Sequence, residues 1–500
     1  MCLQKEYKRI EDLLFRRRMD QDIAIECGTG SVTYKEWYAR SICIANILEE
    51  LHQKKNNIAI YIPNSIDYAV AYFGILFSQN IVVPIFAKAV GAEIVRDLRY
   101  CEIEVLLTTT EQFLVIRDSL IEYEYSIRVI CVDTGTVESL NKYSSNISKE
   151  KNIENEGSCG DVALLLHTSG TTSDPKRVML THKNILCNIV AHVKSLQMTE
   201  EDVGLIALPM AFGYCNTAQF LSYLYVGAKI VIMHSIFHPA IFFNIVECKK
   251  ITNFTAVPTM LNMLLNFTGS DKYNYKSLKF ICFGGGFISK EQIIQLTNRF
   301  PDIKFIQTYG QTECSPRVTA LLPPYTTEKV GSVGRPIEGV EIKIINNNGE
   351  ECIKGESGEI LVCGENVMKG YYKNPDATNQ VIRGKWLFTG DIGYLDEDNF
   401  LYLNGRNKNI IISGGINIYP EEVEEVISMM PGVKNVCIKG VNDREMGEIP
   451  IAEIVKANVE LTETDIIAFC KEKLSFYKIP RRIKFVELIE VTYNGKNKRG

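Results

Sequence analysis

Short apolar runs alternate with longer amphipathic stretches along most of this chain. Runs rich in β-branched or aromatic residues at Asn57–Ile62, Glu104–Thr108, Ile127–Val132, Lys229–Met233, Phe280–Phe283 and Lys304–Gln307 predict buried strands. Between them, segments such as Thr33–Leu51 and Glu291–Phe300 have the spacing of amphipathic helices. This alternation predicts an α/β fold with mainly parallel sheets, because a helix supplies the crossover that a parallel neighbour needs. Past Gly331 the pattern changes to glycine-punctuated strands, VEIKIINNNGEECIKGESGEILVCGE over 340–365. It predicts a β-rich subdomain of antiparallel hairpins turned at Asn-Gly and Lys-Gly. After Arg406 a compact α+β unit of under a hundred residues follows. The chain therefore divides into a large multi-subdomain N-terminal domain, 1–405, and a small C-terminal domain, 406–500, with the hinge near 403–408.

The sharpest chemical signal is LLLHTSGTTSDPKRVMLTHKNI over 164–185. Leu164, Leu165 and Leu166 read as the end of a buried strand. Thr168, Ser169, Gly170, Thr171 and Thr172 follow as small residues, four with hydroxyls and one that permits a strained backbone. Pro175 stiffens the exit, and Lys176 offers a mobile point charge for phosphate oxygens. A Ser/Thr-rich surface loop is the plainer alternative. The order of strand, hydroxyl run, Pro-Lys and a further apolar run favours a nucleotide-phosphate loop, although the Walker pattern is missing.

Further segments carry chemistry in order along the chain. Gln307–Glu313, QTYGQTE, follows a predicted strand and would by itself pass for a turn with a helix cap. Thr389–Tyr394, TGDIGY, places Asp391 after the apolar run Trp386–Phe388, at what reads as a strand end. In Ile411–Glu424 the adjacent Gly414 and Gly415 let a backbone approach another backbone or a thin ligand. Pro420, Glu421 and Glu422 are helix-start chemistry in the same segment. Lys496, in Asn494-Gly495-Lys496, would ordinarily be a solvated tail residue.

Taken in this order, these segments resemble the adenylate-forming, or AMP-binding, superfamily of acyl-CoA synthetases and aryl-CoA ligases, luciferases and adenylation domains. The family's loop reads approximately T-S-G-T-T-G-x-P-K-G-V. This chain keeps Thr168–Thr172, Pro175 and Lys176, with Ser173 and Arg177 where glycines are usual. The resemblance implies that Thr168, Ser169, Gly170, Thr171, Thr172, Gly284, Gly285, Tyr309, Gly310, Asp391 and Arg406 bind ATP. Within that set Tyr309 would lie near the adenine, and Asp391 and Arg406 on the ribose. It also implies that Thr312 contacts the α-phosphate, that Glu313 holds magnesium, and that Lys176 and Lys496 are catalytic. Phe212, Tyr214, Asn216 and Gly286 would shape the acyl pocket. Gly414 and Gly415 would line the thiol channel, and Lys408 would be the hinge of a mobile C-terminal domain that rotates between two half-reactions.

Composition narrows the partners. The 500 residues are 46% hydrophobic and 23% charged, ordinary for a globular protein. A formal charge of −5 argues against nucleic acid. The apolar stretch Tyr68–Ala87 is interrupted by Ser78-Gln79-Asn80 and Pro84, so it reads as helix, turn and strand in place of a membrane span. The opening MCLQKEYKRI has no apolar core of a signal peptide, and the 15 cysteines include no C-x-x-C pair. The expectation is a cytoplasmic protein with reduced thiols. His234 and His238, four apart, lack a third ligand at sensible spacing and are read as structural.

The expected reaction is ATP-dependent conversion of a carboxylic acid to an acyl-adenylate with release of pyrophosphate, then transfer to a thiol. Its cofactors would be ATP, Mg2+ and CoA, or the phosphopantetheine of a carrier protein. The family's amino-acid activators usually place an aspartate where this chain has Gly213, which disfavours an α-amino acid. Phe212 and Tyr214 suggest an apolar or aromatic acid, with Tyr214 and Asn216 available to read one polar substituent. Two alternatives stay open: a carrier-protein loader, and a nucleotide-binding paralogue without turnover.

Overall fold

A computed structural model of the chain describes residues 7–51, 54–89, 91–134, 136–139, 157–168, 176–285, 288, 290–346, 348–406, 411–418, 420–457 and 460–489. Two large sheets form its body. The first has eight described strands in the order Gly370–Tyr371, Lys176–Thr181, Val162–Thr168, Ile81–Pro84, Asn57–Tyr61, Val105–Thr108, Arg128–Cys131 and Thr136–Ser139. Its central pairings, from Val162–Thr168 to Arg128–Cys131, are parallel, and its edges are antiparallel. The second has nine described strands. Lys304–Tyr309, Phe280–Phe283, Asn253–Ala256, Val203–Ile206, Lys229–Ile232 and Ile23–Cys27 run parallel in that spatial order. The α/β expectation holds. The strand read as Lys304–Gln307 continues to Tyr309 because Thr308 and Tyr309 pair with Ala320 and Thr319 on an antiparallel neighbour.

Between these sheets lies the helix Ile66–Phe77, whose residues from Tyr68 to Phe77 are all buried. Ser65 caps its start, with its hydroxyl accepting from Tyr68 N at 3.2 Å. A turn through Gln79 then leads into Ile81–Pro84, so the apolar stretch is helix, turn and strand as read. The helix Tyr34–Glu50, opened by a Thr33/Glu36 capping box, packs against it. Trp37 meets Phe73 edge-on at 5.1 Å, and a Cβ at Gly74 would come within 2.6 Å of Ile44 Cβ. Glycine there sets how closely the two helices approach. No described helix is long and apolar enough to cross a membrane.

The glycine-punctuated region forms an antiparallel sheet. Val340–Ile345 pairs with Gly358–Gly364, which pairs with Trp386–Leu395, which pairs with Leu401–Arg406. The C-terminal residues build a separate sheet. Ile416–Ile418, Ile411–Ser413, Gly447–Lys456 and Val433–Asp443 are joined there by Arg482–Phe485. Its core of Ile411, Val423, Ile427, Ile438, Ile454 and Ile466 is its own.

Arg177, which stands where the resembled family has glycine, is spent in the core. Its backbone pairs with His167, and its side chain is fully buried against Asp97 Oδ2 at 2.7 Å. Nη1 also donates to Pro84 O at 3.3 Å. Removing one partner of a buried ion pair strands the other charge in low dielectric. Arg177→Met should therefore lower stability by about 3–5 kcal/mol, and adding Asp97→Leu should restore most of the loss. Denaturant unfolding of the single and double variants measures both effects.

Candidate active site

The parallel strands of the second sheet share one direction, so their carboxyl ends open on the same edge, where ligands of α/β sheets bind. Val203–Ile206 leads towards Phe212 and the helical turn Gly213–Cys215. Asn253–Ala256 leads to Val257, Phe280–Phe283 to Gly284 and Gly285, and Lys304–Tyr309 to Gly310 and the 3-10 turn Thr312–Cys314. These ends touch. The Tyr214 hydroxyl is 3.2 Å from Thr308 Oγ1, which itself donates to Phe283 O at 2.9 Å. A Cβ at Gly284 would lie 2.6 Å from Thr308 O, and one at Gly213 would lie 3.6 Å from Thr312 Cγ2. A Cβ at Gly310 would collide with Pro316 O, so only glycine turns the chain there. At Gly285, with φ of +75°, nothing lies within 4 Å of where a Cβ would sit. The strand ends thus leave an open cradle.

Glu313 is placed from the other sheet. Its Oε1 accepts from the Tyr371 hydroxyl at 2.9 Å, and its carbonyl accepts from Met368 N at 2.9 Å. Tyr371 pairs with Val178 on the strand that leaves the phosphate loop. Lys176 Nζ, on that same strand, is 5.1 Å from the Tyr371 ring centre. One tyrosine therefore touches both a catalytic cation and a catalytic carboxylate of the sequence reading, which missed it. Its only local signal is the Gly370-Tyr371-Tyr372 run before the helix cap at Asn374, and nothing local points to Glu313.

Asp391 is buried and accepts from the Tyr309 hydroxyl at 2.7 Å. It lies inside the strand Trp386–Leu395 and not at a strand end as expected, because Ile392 and Gly393 continue to pair with Glu359 and Gly358. Arg406 is its backbone partner on the next strand. Burial pushes the Tyr309 hydroxyl well above its ordinary pKa, and the Asp391 charge pushes it further, so it stays a donor. Phe212 is half-buried and packs against Phe86 in a tilted ring contact, with centres 5.1 Å apart. Asn216 is fully buried, its Oδ1 accepting from the Tyr72 hydroxyl at 3.2 Å, and it opens a π-helical turn, Asn216–Leu221. His238, read as structural, caps the helix Pro239–Lys249.

The C-terminal unit reaches this edge. Gly414 and Gly415 have φ of +58° and +76° in the turn between Ile411–Ser413 and Ile416–Ile418, and a Cβ at Gly415 would lie 2.5 Å from Val257 Cγ1. Both positions need glycine, for backbone conformation and for close approach. A second contact is polar. Glu93, on the helix Gly91–Tyr100, accepts from Ser475 N at 3.0 Å, from the Ser475 hydroxyl, and from Lys478 Nζ at 3.2 Å. All three residues are buried. Ser169, Gly170, Thr171, Thr172, Gly286, Lys408 and Lys496 lie outside the described residues.

A hard cation fits here on donor chemistry. Glu313 is a carboxylate with one oxygen engaged by a hydroxyl, and no cluster of three metal-ligating residues occurs among the described residues. That donor set suits magnesium held by one carboxylate together with substrate phosphates.

Residues 15–372 match the family model described as AMP-binding enzyme, and residues 422–496 match the AMP-binding enzyme C-terminal domain. The chain belongs to the AMP-binding enzyme family. It is an AMP-forming acid–thiol ligase by class. The 2-succinylbenzoate–CoA ligase of Bacillus cytotoxicus is 30% identical over 465 residues, covering 93% of this chain and 92% of the relative. Among solved structures, a double mutant of the o-succinylbenzoate CoA synthetase of Bacillus subtilis bound with its product analogue OSB-NCoA is similar, with a TM-score of 0.88. It is 30% identical and covers 97% of both chains. The Bacillus subtilis synthetase in complex with the acyl-adenylate intermediate OSB-AMP, also 30% identical, matches at a TM-score of 0.71 over 97% of this chain and 96% of its own.

If Tyr371 orients Glu313, Tyr371→Phe should slow ATP–pyrophosphate exchange about tenfold or more, the worth of a hydrogen bond to a charged group. Thermal unfolding should scarcely change, since the ring is kept. Exchange kinetics beside a melting curve check both halves of that statement.

Proposed function

We propose that this protein joins a carboxylic acid with an apolar or aromatic body to CoA, by way of an acyl-adenylate. The observation that carries this reading is the convergence of Glu313 and Lys176 on Tyr371 beside the Thr312–Cys314 turn, together with the close approach of Gly415 to Val257. A free carboxylate is a poor acyl donor because its leaving group would be oxide. In the first step a carboxylate oxygen attacks the α-phosphorus of ATP, and the bond to pyrophosphate breaks. Lys176 neutralises charge on the departing phosphates, Thr312 donates to the α-phosphate, and the Thr168–Thr172 loop surrounds the chain of phosphates. Glu313 holds magnesium, which when bound offsets the charge of the triphosphate. Asp391 and Arg406 hold the ribose; Gly284, Gly285, Tyr309 and Gly310 make the nucleotide cradle. Lys496 bridges the carboxylate and the α-phosphate.

In the second step the CoA thiolate attacks the acyl carbonyl, and AMP leaves with the bonding pair. Gly414 and Gly415 then line the thiol's path, and rotation about Lys408 exchanges them with Lys496. The divide between the domains is placed at 405/406, next to that hinge. Support for this arrangement comes from the contacts of Gly415 with Val257 and of Glu93 with Lys478. The better match to the product-analogue complex than to the acyl-adenylate complex, 0.88 against 0.71, points the same way. Relatives named as CoA ligases support CoA as the acceptor. Phe86, Phe212 and Tyr214 support an aromatic or apolar acid.

Acid-panel pyrophosphate release followed by mass analysis of the thioester tests the proposal as a whole. Its two halves should separate by mutation. Lys496→Ala should abolish adenylation and largely spare thioester formation from supplied acyl-adenylate. Glu93→Gln, which removes the charge that receives Lys478, should spare adenylation and slow thioester formation about tenfold or more. Equal losses in both half-reactions for either variant would remove that residue from its assigned step.

The metal assignment has its own check. Glu313→Gln keeps the shape and loses the charge that a hard cation needs, so adenylation should fall by orders of magnitude and recover in part at raised magnesium. Asp391→Asn should weaken ATP binding with the magnesium dependence unchanged. Magnesium titration of initial rates in both variants distinguishes the two carboxylates.

A further inference from the structure

The loop that carries Phe212 and Tyr214 is fastened by one short segment of the N-terminal domain. Leaving the strand Asn57–Tyr61, the chain passes through Pro63 and Asn64 to Ser65, the cap of the helix Ile66–Phe77. Strand end and helix cap between them fix where Asn64 stands. Its side chain makes two hydrogen bonds to the backbone of the loop: Nδ2 donates to Leu208 O at 2.7 Å, and Oδ1 accepts from Met210 N at 2.8 Å. A carbonyl needs a donor and an N–H needs an acceptor, so only one orientation of the amide serves both. Tyr68 and Tyr72, one turn apart on the helix, add two hydroxyls. Tyr68 donates to Met210 O at 3.1 Å, and Tyr72 donates to Asn216 Oδ1 at 3.2 Å. Both tyrosines are fully buried, as are Met210 and Asn216, so no water stands ready to replace a bond that is lost.

Between these anchors the loop meets the reaction centre. The Tyr214 hydroxyl is 3.2 Å from Thr308 Oγ1, a Cβ at Gly213 would lie 3.6 Å from Thr312 Cγ2, and Phe212 packs on Phe86. Inside the loop, Phe212 N donates to Pro209 O at 3.1 Å and Asn216 N to Phe212 O at 2.9 Å. Those bonds shape the loop, whereas Asn64, Tyr68 and Tyr72 tie it to the helix between the two sheets. Among the described residues, the hydrogen bonds of the Asn64 side chain go to the loop backbone alone. It bonds to neither the Gly284–Gly285 turn nor the Thr312–Cys314 turn.

We infer that Asn64 is a positioning residue of the acyl pocket: by fastening the loop at Leu208 and Met210 it sets where Phe212 and Tyr214 stand against the acid. This rests on the reading of Phe212 and Tyr214 as walls of that pocket. Its loss is felt by the acid and not by ATP, because the nucleotide cradle is built on other strand ends.

ATP–pyrophosphate exchange with a panel of benzoic, cinnamic and straight-chain acids gives KM for the best acid and for ATP in each variant. Asn64→Ala should raise KM for the acid about tenfold or more, the worth of two hydrogen bonds, with KM for ATP unchanged. Tyr72→Phe frees the far end of the loop and keeps the ring, and should act in the same direction but less. Asn64→Asp gives a readout that a loss of stability would not move. A protonated carboxyl donates and accepts as the amide does, whereas a carboxylate can only accept, and it would face Leu208 O. Repulsion from that oxygen raises the introduced carboxyl above the ordinary value of about 4. The ratio of the acid KM in Asn64→Asp to that of the wild-type protein should therefore be high at about pH 7.5 and fall several-fold by about pH 5.5. Measuring both proteins at each pH cancels the titration of the substrate and of the catalytic groups. An acid KM unchanged in folded Asn64→Ala, equal rises in KM for acid and ATP, or a pH-independent ratio in Asn64→Asp overturns the assignment of Asn64. Should Asn64→Ala not fold, Asn64→Asp and Tyr72→Phe carry the test alone. Phe212→Ala with no effect on KM for the acid overturns the pocket reading itself.

Discussion

Glu93 and Asp97 stand one turn apart on one face of the helix Gly91–Tyr100, and each carboxylate is met by a cation from a different part of the chain. Asp97 receives Arg177, at the exit of the phosphate loop, and Glu93 receives Lys478, from the C-terminal unit. A buried carboxylate left without its cation costs about 3–5 kcal/mol, so this one helix turn demands both partners whenever the C-terminal unit is docked. The two pairs differ in use. Arg177–Asp97 lies within the N-terminal body and ties the first sheet to the helix that covers it. Glu93–Lys478 spans the two units. Because desolvation offsets most of the attraction between two buried charges, the net worth of such a pair is small, although losing one partner alone is costly.

The same economy governs the catalytic edge. Thr312 and Glu313 come from the second sheet, whereas Lys176 comes from the first. Tyr371 lies between them, with its hydroxyl on Glu313 and its ring beneath Lys176. A neutral phenol can hold a carboxylate in place without cancelling its charge, which an arginine or lysine would do. Tyr309 and Asp391 repeat the arrangement, and there burial keeps the phenol protonated.

What could be read in the sequence was whatever is local. The strands, the helix–turn–strand of Tyr68–Ala87, the glycine-rich hairpins and the compact C-terminal unit announce themselves by periodicity and turn residues. Thr312, Glu313 and Asp391 could be singled out because each lies in a short motif with a recognisable order. Asp391 was misplaced to a strand end because the apolar run stops at Phe388, while the hydrogen-bond ladder that extends the strand is set by Gly358 and Glu359, some thirty residues earlier. Arg177 read as a departure within a loop, since its partner Asp97 is far away in sequence. Tyr371 and Glu93 left no signal for the same reason: each touches a residue that only the fold brings near.

One contact joins the acyl pocket to the docking surface. Phe86 packs against Phe212 at 5.1 Å in a tilted contact and also meets Tyr477 of the C-terminal unit edge-on at 5.6 Å. An aromatic pair is worth about 0.5–1.5 kcal/mol beyond its area, far too little to hold the C-terminal unit in place alone. Yet 1.4 kcal/mol is a tenfold change in an equilibrium constant. A displacement of Phe212 towards Phe86 therefore acts on the ring that also meets Tyr477.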